Sequence, residues 1–411
     1  MNYTLRIPNR INVFIILTLI VFLTPVITQM AGSNYFKLIE DLAYLVLLTH
    51  SIYIMILNNK IVIGKSIVMP VFILLLVLFS LIGIYYNGIS LVILQYREFK
   101  YLLLLIIMIP YSDKEYFKNV WTVLKIIAAI SVPVAVIQWI IYRDDGDRIT
   151  GLLGYGGSGT LTLFVLIVFF TELGMRLQYN KPVLGYYFLY LIPTFINETK
   201  ITFVLIPVML MSTLIITKKL NSKKAILIII LCLLVVVIYA VIYERVYSKS
   251  IFEIFSYDYL SEYLFATNWI GDAGRLAKVL FAYNIIKNGN FFLGYGLGSS
   301  YIGATSGKVG YIARNFYNES MFGGTRPQLF LSLLDMGVLG TALLLIIIIF
   351  FFIKVLKNKV NTIERFIAIN GFIILFVTLL YQNIFYTYQI MYIIILYTTL
   401  HLKNQPEVIA K

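Results

Sequence analysis

Apolar runs of about bilayer length recur along the whole chain, separated by short polar gaps. A helix needs about 20 apolar residues, with a range of about 17–25, to cross a hydrocarbon core. Twelve such spans are predicted, roughly over 11–29, 37–57, 67–86, 89–111, 119–142, 158–178, 183–197, 200–217, 224–243, 327–353, 364–381 and 384–402. The seventh is short and carries Pro193. It can be read with the eighth as one broken helix, and so can the eleventh with the twelfth. The first run is longer than a signal-peptide core and many spans follow it, so it reads as a signal anchor. The predicted fold is an all-α polytopic membrane protein.

The rhythm breaks once. After the ninth span, residues 244–326 form a connection of 83 residues (326 − 244 + 1), the one gap long enough for a small domain. The chain therefore divides into spans one to nine (1–243), this loop (244–326), and spans ten to twelve with a short tail (327–411). Loops of that length are functional or disordered. This one is rich in Tyr, Phe and Ile, against disorder. Its opening stretch, SIFEIFSYDYLSEYLFATNWI, is aromatic enough to lie at a membrane interface.

Charge orients the spans. One set of connections holds eighteen basic residues, running from Arg6 and Arg10 through Lys218, Lys219, Lys223 and Lys224 to Lys403 and Lys411. The alternate short connections hold four: Lys37, Arg143, Arg148 and Lys200. Cationic loops stay cytoplasmic, which places both termini inside and the large loop outside. Composition agrees: 60% of residues are hydrophobic and 13% are charged, where a soluble domain carries about 25%. The net charge of +14 follows the gaps between spans rather than one patch, which argues against a nucleic-acid partner. Cys232 is the single cysteine, and His50 and His401 are the two histidines. An internal disulfide and a histidine metal cluster are thereby excluded.

Candidate chemistry concentrates on the outer side. In the run GDAGRLAKVLFAYNIIKNGNFFLGYGLGSSY, Asp272 or Gly274 can cap a helix starting near Arg275. Leu276, Val279, Leu280, Tyr283 and Ile286 fall at helical spacing on one face, and Gly289 closes it. An arginine in the first turn is mildly unfavourable for the helix dipole unless an anion binds there too. An ordinary solvated arginine is the equal alternative. The run Gly294-Tyr295-Gly296-Leu297-Gly298 suits either close approach to a sugar or phosphate, or a tight turn. The segment Gly303 to Val309 is one residue short of a phosphate-binding loop and lacks its last Ser or Thr, so a nucleotide reading is rejected.

Within predicted spans, Arg97, Glu98 and Lys100 stand together in the fourth, and Asp335 lies nine residues past Arg326 in the tenth. Ionisable groups there are costly and mark a pairing or a function. Lys200 and Arg326 lie at outer span ends, where snorkelling is the alternative. Together Arg97, Lys200, Arg275 and Arg326 map to the outer half of the membrane or the outer loop and point to an anion at the outer leaflet. A lipid diphosphate fits, because guanidinium groups bind phosphate oxygens in bidentate fashion.

Twelve spans with a large outer loop between the ninth and tenth resemble the bacterial O-antigen polymerase and O-antigen ligase superfamily. Four segments carry the resemblance: AGRLAKV, NFFLGYGLGSS, RPQLFLSLLDMGVLG and NETKITF. In the ligases the segment entering the tenth span begins His-Asn. Here those places are Arg326 and Pro327, and the outer loop contains no histidine. The polymerase branch is therefore favoured. The resemblance implies a glycosyltransferase, a polysaccharide polymerase (O-antigen in lipopolysaccharide, or capsule) of the bacterial inner membrane. It would join undecaprenyl-diphosphate-linked oligosaccharides and need neither cofactor nor metal. Its partners would be membrane lipids and the flippase and chain-length regulator of the same pathway. Arg275 and Arg326 would stabilise the leaving diphosphate. Arg97, Lys100, Lys200 and Arg314 would hold the lipid phosphates, and Asp272 or Glu319 would serve as base. The alternatives are a ligase-like enzyme or protein O-oligosaccharyltransferase, and a lipid-linked oligosaccharide flippase. A flippase needs no 83-residue outer loop, and the two halves show no repeat.

Overall fold

The computed structural model describes residues 10–32, 37–57, 68–96, 114–142, 145–154, 157–182, 185–197, 199–217, 256–267, 272–302, 307–357, 362–384 and 387–403, with scattered positions between 226 and 245. Arg97, Glu98, Lys100 and most of the predicted ninth span lie outside them. The described chain is helical and contains no strand; one isolated bridge joins Ile302 and Val309.

The helices are α1 (Arg10–Ala31), α2 (Lys37–Leu57), α3 (Val68–Asn87), α4 (Lys114–Ile141), α5 (Ser158–Gln178), α6 (Ile192–Ile196), α7 (Thr202–Thr217), α8 (Tyr257–Phe265), α9 (Arg275–Lys287), α10 (Tyr311–Asn315), α11 (Glu319–Phe322), α12 (Gln328–Lys357), α13 (Ile363–Thr378) and α14 (Tyr388–Lys403). Three helical stretches among the described residues, Lys118–Ile141, Ser158–Gln178 and Gln328–Lys357, are long and apolar enough to cross a membrane. The predicted seventh span is not one helix. A 3-10 stretch, Gly185–Leu191, passes into the five-residue α6. Pro193 sits in the first turn of α6, where its missing N–H is harmless.

The core follows from apolarity. Helix α5 is buried on every side from Leu161 to Thr171, as expected of a helix apolar all round. Helix α13 is buried in the same way and packs on both α5 and α14. Gly174 makes the α5–α13 contact possible, since a Cβ there would come within 2.5 Å of the Phe366 ring. Buried polar side chains are matched across helices: Thr18 Oγ1 meets Tyr392 Oη at 2.7 Å, and Trp121 Nε1 donates to Glu172 at 2.8 Å.

Helix α12 is broken. Gly337 has φ 63° and ψ −168°, outside helical geometry. A break strands backbone N–H and C=O groups, which cannot stay unpaired in an apolar interior. The loop supplies the partners. The Val338 and Leu339 amides donate to the Phe291 and Phe292 carbonyls at 3.0 and 3.1 Å, and Leu334 O accepts from Tyr295 N at 2.9 Å. The glycine run is what allows this approach: a Cβ on Gly294 would stand 2.5 Å from Gly337 N, and one on Gly298 3.1 Å from the Leu91 carbonyl carbon. Asn87 completes the clasp. Its Nδ2 donates to the Tyr295 and Leu297 carbonyls, and its Oδ1 accepts from Tyr311 N. Of the two sequence readings of the run, the structure supports a turn packed on the protein's own backbone.

Gly337→Ala forces a Cβ onto a φ 63°, ψ −168° backbone that is essentially confined to glycine, at about 1–3 kcal/mol, and also into the Gly294 backbone. Gly88 has φ +80°, and a Cβ there would meet nothing within 4 Å. Gly88→Ala therefore carries the strain without the clash. Thermal unfolding in detergent is expected to show a clearly larger drop for Gly337→Ala than for Gly88→Ala.

Candidate functional site

Five segments surround one cavity of about 840 Å³, within the range of about 300–1,000 Å³ usual for ligand pockets. They are Asp145, Asp147 and Arg148 after α4; Ser158 to Thr160 at the start of α5; Thr199 before α7; Gly324 to Arg326 before α12; and Tyr381, Gln382, Asn383 and Thr387 between α13 and α14. The lining mixes guanidinium, carboxylate, hydroxyl and amide groups.

Each segment is fixed by buried polar contacts. Gln138 Oε1 accepts from the Thr150 and Gly151 amides at 2.9 and 2.7 Å, which anchors the turn carrying Asp145 to Arg148. Asn197, fully buried, donates to Ser158 O at 3.0 Å and to Thr162 Oγ1, joining the Thr199 segment to the start of α5. Gln382 O accepts from Gln328 N at 3.2 Å.

The Gly323–Arg326 segment is held by a charge cluster. Lys278 is fully buried, and its Nζ donates to Asp272 Oδ1 at 2.6 Å, Gly323 O at 2.7 Å and Thr325 O at 3.1 Å. Its three N–H donors are all used. Burial pulls the Lys278 ammonium below the usual lysine range, and the Asp272 contact opposes that. Arg275 Nη1 donates to Asp272 Oδ2 at 3.1 Å and to Thr325 O at 2.8 Å, and its guanidinium lies 5.9 Å over the Tyr381 ring.

Asp335 is the second anchor. Its Oδ1 accepts from Ser299 Oγ at 2.7 Å, Ser300 N at 3.1 Å and Ser300 Oγ at 3.0 Å. Ser300 O in turn accepts from Arg326 Nη1 at 2.9 Å. Arg326 is thus fixed by its backbone through Lys278 and Arg275, and by its side chain through Ser300. Among the described residues it makes no ion pair, and it presents to the cavity.

Of the proposed site residues that are among the described residues, only Arg326 lines this cavity. Asp272 is outside the lining and paired with two cations, Lys278 and Arg275. Arg275 braces the segment before Arg326 rather than facing the cavity. Lys200 Nζ donates to Tyr259 Oη at 2.5 Å and lies over the Tyr259 and Tyr263 rings, while its neighbour Thr199 reaches the cavity. Arg314 and Glu319 are exposed and outside the lining; Arg314 Nη2 donates to Val309 O. Arg97 and Lys100 lie outside the described residues. On α9 the expected apolar face is also turned. Ala277, Lys278, Ala282, Ile285 and Ile286 are buried, whereas Leu280 and Tyr283 are exposed. Small alanines permit close packing on α12, and the acceptors around Lys278 outweigh the apolar pattern.

Sequence reasoning missed Asp147, Arg148, Tyr381 and Gln382. One signal was available for Arg148: it is among the four cations on the cation-poor side. No group of three or more metal-binding side chains occurs among the described residues. Comparison with protein-family models, curated proteins and solved structures finds no match to this chain.

Lys278→Met leaves the Gly323 and Thr325 carbonyls without this donor, while Asp272 keeps its pairing with Arg275. It is expected to destabilise the detergent-solubilised protein by about 1–3 kcal/mol. The double variant Lys278→Met with Asp272→Asn should regain part of the loss, and a thermal-shift double-mutant cycle measures the coupling.

Proposed function

We propose that the protein is a polysaccharide polymerase that works on lipid-diphosphate-linked oligosaccharides at the outer face of a bacterial cytoplasmic membrane. The observation that carries this reading is the cavity. All five of its segments lie in connections that the charge pattern assigns to the exterior or at the span ends that border them, and two of its lining residues are arginines, Arg148 and Arg326. An outward polar cavity with fixed guanidinium groups suits a diphosphate arriving from the outer leaflet.

In the reaction, the growing chain leaves its undecaprenyl diphosphate and passes to a hydroxyl of a new repeat unit. Negative charge builds on the diphosphate as the glycosidic bond breaks, and preorganised cations stabilise that stage most. Arg326 is held from two sides, so little reorganisation is needed when charge develops. Arg148, which also lines the cavity, shares the role. The diphosphate is already a good leaving group, so no metal is required. Asp272, Lys278 and Arg275 act as positioning residues for Arg326.

Gene deletion followed by electrophoresis of surface polysaccharide is expected to leave single repeat units on the surface acceptor. Long chains retained on carrier lipid would point to a ligase, and repeat units trapped inside to a flippase. Arg326→Ala at normal membrane levels should reproduce the single-unit pattern, and Arg326→Lys should not restore full length, because an ammonium lacks the bidentate fork. Polymer formation by isolated membranes is expected to survive EDTA.

A further inference from the structure

We propose that Asp147 accepts the proton of the acceptor hydroxyl in this transfer, an assignment that rests on the polymerase reading. Such a hydroxyl is a poor nucleophile until its proton is removed, and the base must lie within hydrogen-bond reach. Among the described residues two acids line the cavity, Asp145 and Asp147. Asp145 is engaged: its Oδ2 lies 2.8 Å from Arg148 Nε. Asp147 makes no ion pair among the described residues, and its Oδ1 accepts one long hydrogen bond, from Ser158 Oγ at 3.4 Å.

The other acids near the cavity are excluded by their surroundings. Both carboxylate oxygens of Asp272 are bound by cations. Asp335 is buried, with three donors on one oxygen. Glu319 is exposed on α11, outside the lining. Among these acids Asp147 alone combines access to the cavity with a carboxylate held by a single long hydrogen bond. It also sits on a stiff support, the 3-10 turn Gly146–Arg148, whose following residues are pinned by Gln138. That turn places a carboxylate and Arg148 side by side, so one short segment faces both the acceptor and the diphosphate.

In the transfer, the acceptor oxygen forms a bond to the anomeric carbon of the donor sugar. The bond from that carbon to the diphosphate oxygen breaks, and its electron pair leaves with the lipid diphosphate between Arg148 and Arg326. The acceptor proton passes to a carboxylate oxygen of Asp147, and then to water.

The test uses a deletion strain carrying variants at matched membrane levels. Asp147→Asn keeps size and removes the base, and polymerisation should fall by about 10²–10⁴-fold, leaving single repeat units. Asp147→Glu should restore part of the polymer. Native mass spectrometry in nanodiscs, with undecaprenyl diphosphate as the probe, supplies the second readout. Wild type and Asp147→Asn should bind it equally, and Arg326→Ala should lose it. Full-length polymer from Asp147→Asn overturns the assignment of the base. So does loss of probe binding in Asp147→Asn, which would make Asp147 a binding group. Should Asp147→Asn not reach the membrane, Asp147→Ser takes its place with the same outcomes. Failure of wild type to bind the probe, or intact polymer in the deletion strain, would instead overturn the polymerase reading itself.

Discussion

The structure depends on the break in α12 at Gly337. An apolar helix cannot open without partners for the backbone groups it releases, because each unpaired group costs several kcal/mol in a nonpolar setting. Here Phe291, Phe292 and Tyr295 provide those partners from the loop. The loop is thereby bonded into the bundle rather than resting on it. Close approach is possible only because Gly294 and Gly337 face each other without side chains. The residues immediately downstream, Ser299 and Ser300, then reach Asp335 just before the break.

From that clasp the position of Arg326 follows. Asp335 fixes Ser300, and the Ser300 carbonyl holds the Arg326 guanidinium. From the other side Lys278 and Arg275 grip the Gly323 and Thr325 carbonyls, with Asp272 paired to both cations. Four ionisable residues that individually look like ligand contacts or catalysts thus serve to position a fifth. Lys278 in particular is buried with all three of its N–H donors used, and so has no cheap alternative position. Fixed charge is what an electrostatic site requires, since reorganisation during a reaction would cancel its benefit.

The cavity segments after α4 and before α7 are held by a different device. Gln138 and Asn197 spend their amides on backbone groups and so bind loop turns to neighbouring helices. These contacts bring Asp147 and Arg148 beside Tyr381 and Gln382, residues more than 230 positions later in the chain.

The sequence alone determined the helical class, most helix positions and the expected side of each connection, because apolar length and cation asymmetry are local properties of the chain. Arg326 was also legible, as a cation at a span end beside a long loop. Pairing was not. Asp272, Arg275 and Lys200 read as site residues because a one-dimensional pattern shows a charge but not its partner. Asp147 and Arg148 were passed over because a short polar turn looks solvated until it is known what faces it. Which charges neutralise one another and which remain turned toward a cavity was decided by tertiary packing, where contacts across hundreds of residues set the cost of leaving any one of them unpaired.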